Sequence, residues 1–263
     1  MSLRFTQKDW HARYLQQASW THDLRRFLYT QVDLANTQRV LDIGCGTGAL
    51  QKELQFSSRG FLAGLDISFQ NLNHAKLFAP GSAYIQGDAL FLPFNNGVYD
   101  VCLCHFVLLW VTDPLKALTE MRRVSRPGGW VVALAEPDYT ARIDYPQDLS
   151  KIGDWQQMAL IRQGANPGIG RRLMELFIHA GLRDVQGGIL GGNWKASFDP
   201  TAGDLEWQVL ENDIGSLSMP PDRSEIDRLH KLDEQAYRDG NRVLFVPTFY
   251  ACGRTSSAIV VSP

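Results

Sequence analysis

The glycine run Gly44-Cys45-Gly46-Thr47-Gly48 is the first feature of this 263-residue chain whose residue types suggest chemistry. A glycine-rich turn between a strand and a helix lets the backbone approach a ligand closely, because no Cβ stands in the way. The N–H groups at the start of the following helix favour an anionic or polar group. Taken alone, the spacing from Gly44 to Ala49 also satisfies the dinucleotide-binding pattern. The loop therefore indicates a nucleotide-type cofactor without saying which one.

Three aspartates near this loop narrow the choice. Asp42 lies two residues before the first glycine, where a carboxylate can hold the loop's N–H groups and interact with a cationic ligand such as the amino group of methionine. Asp66 ends the second predicted strand, where a carboxylate can accept both ribose hydroxyls of either kind of cofactor. Asp88 follows the third predicted strand, where it can accept a hydrogen bond from an adenine amino group between apolar neighbours.

These residues lie at the ends of strands in an alternating strand–helix pattern. Short apolar runs predict strands at residues 40–43, 61–67, 83–86, 99–105 and 130–134. The intervening segments have helical spacing, with Ser68 as a plausible N-cap and Pro114 in a first helical turn. Five strands alternating with helices predict an α/β fold with a parallel, doubly wound sheet.

The segments on either side of this core are mainly helical. Apolar spacing predicts one or two helices between residues 10 and 34. Beyond residue 137 we expect helices at 149–162 and 169–179, a sixth strand at 185–190, helices near 203–212 and 224–238, a strand at 244–253 and an extra edge piece at 259–261. No linker divides the chain, so we treat residues 1–263 as one domain. It consists of an N-terminal helical segment (1–35), a cofactor-binding core (36–137) and acceptor-side segments (138–263) that include a helical insertion near 200–240.

Composition excludes several classes of function. The formal net charge of −2 shows no basic excess that would favour nucleic acid or an anionic membrane surface. No apolar run reaches the roughly 18 residues of a membrane span. Cys102 and Cys104 lie two apart in a strand, which suits neither a zinc site nor a disulfide framework. We therefore expect no metal, and a cytoplasmic protein with reduced thiols.

Residues 40–139 resemble the type-11 subgroup of class I S-adenosylmethionine-dependent methyltransferases. The matching pieces, in order, are residues 40–48, 65–68, 87–94, 99–110 and 126–129. The resemblance implies a Rossmann-like sheet of seven strands whose last strand is antiparallel, and transfer of a methyl group from S-adenosylmethionine to a small-molecule acceptor. It implies cofactor contacts at Gly44, Cys45, Gly46, Asp66, Ile67, Asp88, Ala89, Cys104, His105 and Phe106, to which the family's general layout adds Tyr14.

Candidate residues for the acceptor follow the fifth predicted strand. This segment, 136–146, would lie at the carboxyl end of the sheet beside the cofactor crevice. Tyr139 and Tyr145 could orient an acceptor, and Arg142 could hold a carboxylate or phosphate. The alternative is a lid segment held by internal Arg–Asp pairing. His105 is the best single candidate for a general base, and its alternative role is that of a satisfied core histidine.

Two other functions stay open at this stage. A dehydrogenase with a nicotinamide cofactor would share the glycine loop and Asp66, but it leaves Asp42 and the Gly87-Asp88-Ala89 segment unexplained. A protein of the same fold that binds the cofactor without turnover would keep all three aspartates. The identity of the acceptor, the methylated atom and the oligomeric state do not follow from the sequence.

Overall fold

The computed structural model describes residues 5–191 and 200–256. The strands of these residues are β1 (Arg39–Ile43), β2 (Phe61–Asp66), β3 (Ala83–Gln86), β4 (Tyr99–Cys104), β5 (Ser125–Pro137), β6 (Ile143–Tyr145), β7 (Arg183–Leu190), β8 (Val243–Phe245) and β9 (Thr248–Arg254). The α-helices are α1 (Gln7–Trp20), α2 (His22–Gln31), α3 (Gln51–Ser57), α4 (Phe69–Phe78), α5 (Pro114–Val124), α6 (Ser150–Arg162), α7 (Leu173–His179), α8 (Pro200–Ile214) and α9 (Arg223–Arg238).

The described part of the chain contains a seven-stranded sheet in the order β3-β2-β1-β4-β5-β9-β7. The first five strands pair in parallel, whereas β9 runs antiparallel to both β5 and β7. The predicted Rossmann-like sheet of seven strands with an antiparallel last strand is confirmed.

One predicted strand is wrong in its extent. Residues 244–253 form two strands rather than one, with Pro247 between them, because proline has no N–H to donate to a ladder. The first of the two, β8, pairs with β6 in a separate two-stranded sheet. The predicted edge piece at 259–261 lies outside the described residues.

Side-chain caps fix where several helices begin. Thr6 and Asp9 form a capping box at the start of α1. The Ser68 hydroxyl accepts a hydrogen bond from the Asn71 amide at α4, as its sequence position predicts. Asp113 accepts from the Lys116 amide at 2.9 Å, and Pro114 occupies the first turn of α5.

The core lies on both faces of the central strands. All of β4 is buried, as its continuous apolar sequence predicts for a strand covered on two sides. On one face Cys102 packs in a cluster with residues of α5 and α7. On the other face Val101 and Leu103 pack in a cluster with Leu28 of α2. These two layers hold the strand ends that carry the candidate site.

The strand order reverses beside β1, since β2 and β3 lie on one side of it and β4 and β5 on the other. In such sheets a crevice opens at the carboxyl ends of the two strands and holds the ligand. The predicted helices near 203–212 and 224–238 form α8 and α9, which pack with α6 around Leu149, Trp207 and Leu229. The division into one domain with the stated segments stays a prediction. None of the described helices has both the length and the apolar character to cross a bilayer.

Candidate functional site

A cavity of about 630 Å³ is lined by residues at the carboxyl ends of β1, β2, β3 and β4, a volume typical of small-molecule sites. We call the part formed by these strand ends the loop side; it includes Asp42, Gly44, Gly46, Asp66 and Asp88. We call the part formed after β5 and by α6 and α8 the helix side; it includes Tyr139, Gln156, Gln163, Val209 and Asp213. Helix α1 contributes Trp10, Arg13, Tyr14 and Gln17.

The glycine loop turns sharply because Gly44, Gly46 and Gly48 all have positive φ angles. A Cβ on Gly44 would lie 2.4 Å from a Val107 methyl carbon, so a side chain does not fit. The amides of Gly44 and Cys45 donate to the Leu65 carbonyl at 2.7 and 3.0 Å. The loop is thus fixed by the neighbouring strand β2.

Asp42 does not hold the N–H groups of this loop, contrary to the expectation from the sequence. The carboxylate is buried and accepts a hydrogen bond from Gln51 Nε2 at 2.8 Å. Burial raises the pKa of Asp42 to about 7, opposed by the Gln51 hydrogen bond and reinforced by Asp66. The other amide atom, Gln51 Oε1, is buried and has no hydrogen-bond partner in the described part of the chain. The predicted contact of Asp42 with a cationic ligand stays a prediction.

Asp66 and Asp88 both line the loop side, as do Ile67 and Ala89. Asp66 accepts from the amides of Gly46 and Ser68, at 2.9 and 2.8 Å. One oxygen of Asp88 accepts from the Leu90 amide at 2.8 Å, so Asp88 also stabilises its own turn. The predicted positions therefore meet in one cavity.

Helix α1 covers the glycine loop with an aromatic ring. A Cβ on Gly46 would lie 3.4 Å from Tyr14 Cε2, so the ring rests against the loop. Trp10 stacks on Tyr14 with their ring centroids 6.0 Å apart. Burial raises the pKa of Tyr14 to about 12, helped by the Asp66 charge, and keeps the hydroxyl protonated. Trp10 was not predicted as a site residue, although its position one helical turn before Tyr14 was a usable signal.

The surroundings of His105 do not suit the general base predicted from the sequence. His105 Nε2 lies 2.8 Å from the hydroxyl oxygen of Thr21, which also accepts a hydrogen bond from Arg25. Burial, together with the Arg25 charge, lowers the pKa of His105 to about 3. A general base works best with a pKa near the working pH. The ring lines the cavity. Its contact with Thr21 and its low pKa match the alternative role, that of a histidine whose hydrogen bonding is met inside the protein.

Two further predicted residues are held away from the cavity. Arg142 donates to both oxygens of Asp144, at 2.7 and 3.0 Å, and to Gln156 at 2.6 Å. This is the internal Arg–Asp pairing weighed as the alternative, so the Arg142 guanidinium is bonded to Asp144 and Gln156 and does not line the cavity. Cys104 is fully buried among core residues. Neither side chain lines the cavity, whereas Phe106 and Tyr139 do.

The helix side contains charged residues that sequence reasoning missed. Arg13 of α1 pairs with Glu206 of α8 at 2.5 Å, across 193 residues of sequence. Asp213, also on α8, is buried and accepts from Gln163 Nε2 at 3.1 Å. No local motif marks these positions, because they meet only when α1, α6 and α8 assemble over the sheet.

Comparison with known proteins identifies the family of the central part of the chain. Residues 41–133 match a family described as "Methyltransferase domain". They form a class I, S-adenosylmethionine-dependent methyltransferase domain. All strand ends of the loop side fall inside this domain, whereas Arg13, Tyr139 and Asp213 fall outside it.

Relatives of the methyltransferase domain include two named enzymes. The malonyl-[acyl-carrier protein] O-methyltransferase of Erwinia pyrifoliae is 33% identical over 119 residues, 45% of each chain. The demethylmenaquinone methyltransferase of Renibacterium salmoninarum is 38% identical over 112 residues, 43% of this chain and 47% of the relative. The chain spans about half the length of the curated relatives it matches. The YcgJ protein of Bacillus subtilis shares the fold, with a TM-score of 0.60 and 16% identity over 90% of this chain and 99% of that one.

Proposed function

We propose that this chain transfers the methyl group of S-adenosylmethionine to a small-molecule acceptor bound on the helix side of the cavity. The observation that carries the proposal is the convergence of the glycine loop, Asp66 and Asp88 on a cavity whose loop side belongs to the methyltransferase domain. The relatives' names differ in acceptor, so they do not select among acceptors for this chain.

The loop side fits the proposed cofactor in its charge. Asp42, Asp66 and Asp88 bring carboxyl groups to its wall. Among the described residues that line the cavity, Arg13 is the single Lys or Arg, and its charge is paired with that of Glu206. Such a wall suits a ligand that carries positive charge. We propose that Asp66 accepts the ribose hydroxyls, Asp88 the adenine amino group, and Asp42 the charge of the amino group.

The loop amides argue against the dehydrogenase alternative. A dinucleotide's pyrophosphate binds N–H groups at such a loop. Here the amides of Gly44 and Cys45 donate to Leu65, and the amide of Gly46 donates to Asp66. A pyrophosphate would therefore meet occupied donors and an adjacent carboxylate.

When bound, the cofactor supplies a methyl group on a positively charged sulfur. The chain's own contribution is to align the acceptor and exclude water, and well-aligned reactants can lower a barrier by roughly 7–11 kcal/mol. Tyr14 covers the loop, while Trp110, Val111 and Leu160 add apolar surface to the cavity. We propose that the acceptor is a small molecule rather than a nucleic acid, since the wall carries several carboxylates. The four buried, free cysteines fit a cytoplasmic location, which we also propose.

Titration calorimetry with S-adenosylhomocysteine, with NADH in parallel, tests this function. We expect one-to-one binding of S-adenosylhomocysteine, weakened in Asp66→Ala and in Asp88→Asn but unchanged in the exposed control Asp154→Asn. Binding of NADH alone would overturn the proposal. Binding of S-adenosylhomocysteine without methylation of any acceptor, over a broad panel, would favour the binding protein without turnover.

A further inference from the structure

We infer that Asp213 binds the nucleophilic group of the acceptor and takes its proton, so that the helix side selects an aromatic hydroxyl on an apolar body and rejects anions. This inference rests on the proposed function and names the acceptor class for the same cavity. It assigns to α8 the role that the sequence analysis gave to His105.

The position of Asp213 supports this role. Its side chain is buried yet lines the cavity. It accepts from the neutral amide of Gln163 at 3.1 Å, and no ion pair to it is found within residues 5–191 and 200–256. A buried carboxylate normally pairs with a cation or several donors. Asp213 therefore retains the capacity to accept a hydrogen bond from a ligand.

The charges around Asp213 leave it ready to accept a proton. Burial raises the pKa of Asp213, opposed by hydrogen bonds from Gln163 and Asn212 and by the charge of Arg13, and reinforced by Glu206. Arg13 exerts little net attraction on a ligand anion because Glu206 pairs with it at 2.5 Å.

Tyr139 is the second polar group near this carboxylate. Burial raises the pKa of Tyr139, with Arg13 opposing the shift and Asp213 adding to it. The tyrosine therefore stays protonated at neutral pH and donates a hydrogen bond. It can stabilise the oxygen of an acceptor while Asp213 accepts from that same hydroxyl.

The remaining surface of the cavity favours an apolar body and disfavours an anion. Trp110, Val111, Leu160 and Val209 line the same cavity as Asp213. These side chains provide surface on which a ring can be buried. An acceptor that carries a carboxylate would lie near the buried charge of Asp213, and repulsion between the two negative charges would weaken its binding.

An aromatic hydroxyl also balances the chemistry. Its proton moves to a carboxylate oxygen of Asp213, and the oxygen keeps the electron pair with which it bonds the methyl carbon. The carbon–sulfur bond of the cofactor breaks and its electron pair stays on sulfur. Asp213 ends protonated and the products are an aryl methyl ether and S-adenosylhomocysteine.

Ligand selectivity tests the inference in the presence of saturating S-adenosylhomocysteine. The probes are 2-naphthol, 2-naphthoate and 2-(aminomethyl)naphthalene, measured by calorimetry at neutral pH. We expect the wild type to bind 2-naphthol about tenfold or more tightly than 2-naphthoate, because the naphthol hydroxyl can donate a hydrogen bond to the buried carboxylate whereas the naphthoate charge is repelled by it. Asp213→Asn should remove this preference while its affinity for S-adenosylhomocysteine and its melting temperature stay close to wild type.

The matched control is Asp204→Asn, the same change at an exposed position of α8. It should keep the wild-type preference. The affinity of the wild type for 2-naphthol should also fall as the pH is lowered through the raised pKa of Asp213, and this dependence should vanish in Asp213→Asn.

The outcomes separate this inference from the proposed function. Failure of the wild type to bind S-adenosylhomocysteine contradicts the proposed function itself. If S-adenosylhomocysteine binds, four results overturn the inference alone. They are equal or tighter binding of 2-naphthoate than of 2-naphthol, tighter binding of the amine than of 2-naphthol, no binding of 2-naphthol, and an unchanged preference in Asp213→Asn.

Discussion

The Asp66 carboxylate accepts a hydrogen bond from the amide of Gly46 at 2.9 Å, across 20 residues of sequence. Its other oxygen accepts from the Ser68 amide at the start of α4. One side chain at the end of β2 thus fixes the glycine loop after β1 as well as facing the cavity. The residue predicted to contact the ribose also positions the loop that would approach the rest of the cofactor.

Loss of this carboxylate should loosen the loop even without a ligand. In Asp66→Asn, one acceptor oxygen is replaced by a donor, so the amides of Gly46 and Ser68 cannot both keep a partner. We expect the hydrogen-exchange rate of the Gly46 amide to rise about tenfold or more, as for a loss of one charge-assisted hydrogen bond. Exchange measured by NMR checks this, with the Leu90 amide at Asp88 as the internal control. Unchanged rates at both Gly46 and Ser68 would show that the loop is held by other contacts.

Gly44→Ala should destabilise the protein through a local clash. The added Cβ would lie 2.4 Å from Val107 Cγ2, and the φ angle of +69° is unfavourable for any side chain. We expect the free energy of unfolding to fall by about 1–3 kcal/mol. Urea denaturation measures it, with Gly191→Ala, which meets no atom within 4 Å, as the neutral control. Adding Val107→Ala should recover part of the loss; no recovery would mean that backbone strain alone is responsible.

The stability of the unliganded protein should depend on pH through Asp42. Burial raises its pKa from the ordinary 3.8 to about 7, so between these values the folded state holds a proton that the unfolded chain releases. The free energy of unfolding therefore falls as the pH rises across this range, by about 1.4 kcal/mol per pH unit, and the loss is complete above the folded pKa. Asp42→Asn lacks this titration.

Unfolding of both proteins in urea at several pH values checks that prediction. The stability of Asp42→Asn relative to wild type should increase by about 2–3 kcal/mol from about pH 5 to about pH 7, and then level off. Glu136, whose pKa burial also raises to about 7, is present in both proteins and cancels in the difference. A difference that is constant with pH contradicts the prediction.

The ion pair between Arg13 and Glu206 should couple the N-terminal helix to the inserted helix. Arg13 is buried, and its side chain meets Glu206 at 2.5 Å. Glu206→Gln leaves a buried guanidinium without its counter-charge, so we expect the free energy of unfolding to fall by about 1–2 kcal/mol. This is less than for a fully buried ion pair, because Glu206 is partly exposed to solvent. A double-mutant cycle with Arg13→Gln should give a coupling of about 1 kcal/mol. Additive losses would show that the pair contributes no specific energy.

The fold was predictable because its signals are local and repeated. Strands 40–43 and 83–86 stand out as short apolar runs, and the cap at Ser68 follows from residue type alone. The split near Pro247 was missed although the proline is a local signal, and the two pieces pair with different strands: β8 with β6, and β9 with β5 and β7. Pairing of that kind depends on the assembled sheet and not on the stretch itself.

The loop side was predictable for a similar reason, whereas the chemistry of single side chains was not. The low pKa of His105 is set by its burial and by the charge of Arg25, and its ring contacts Thr21, which lies 84 residues away on the turn between α1 and α2. Two roles were open for Arg142 from the sequence, and the structure shows the internal one: it is bonded to its near neighbour Asp144 and to Gln156. Asp213 carries no motif, and its surroundings arise from three helices.

Several residues that line the cavity lie outside residues 41–133, among them Arg13, Tyr139, Gln163 and Asp213. This placement has an evolutionary consequence. Under the proposed function, mutations in these flanking segments would alter which compound enters the protein while the strand ends and their aspartates stay unchanged. A lineage can thus exchange one substrate for another by drift in two or three helices, without passing through a form that has lost its cofactor. Relatives that share the central hundred residues should accordingly diverge in substrate much faster than in cofactor.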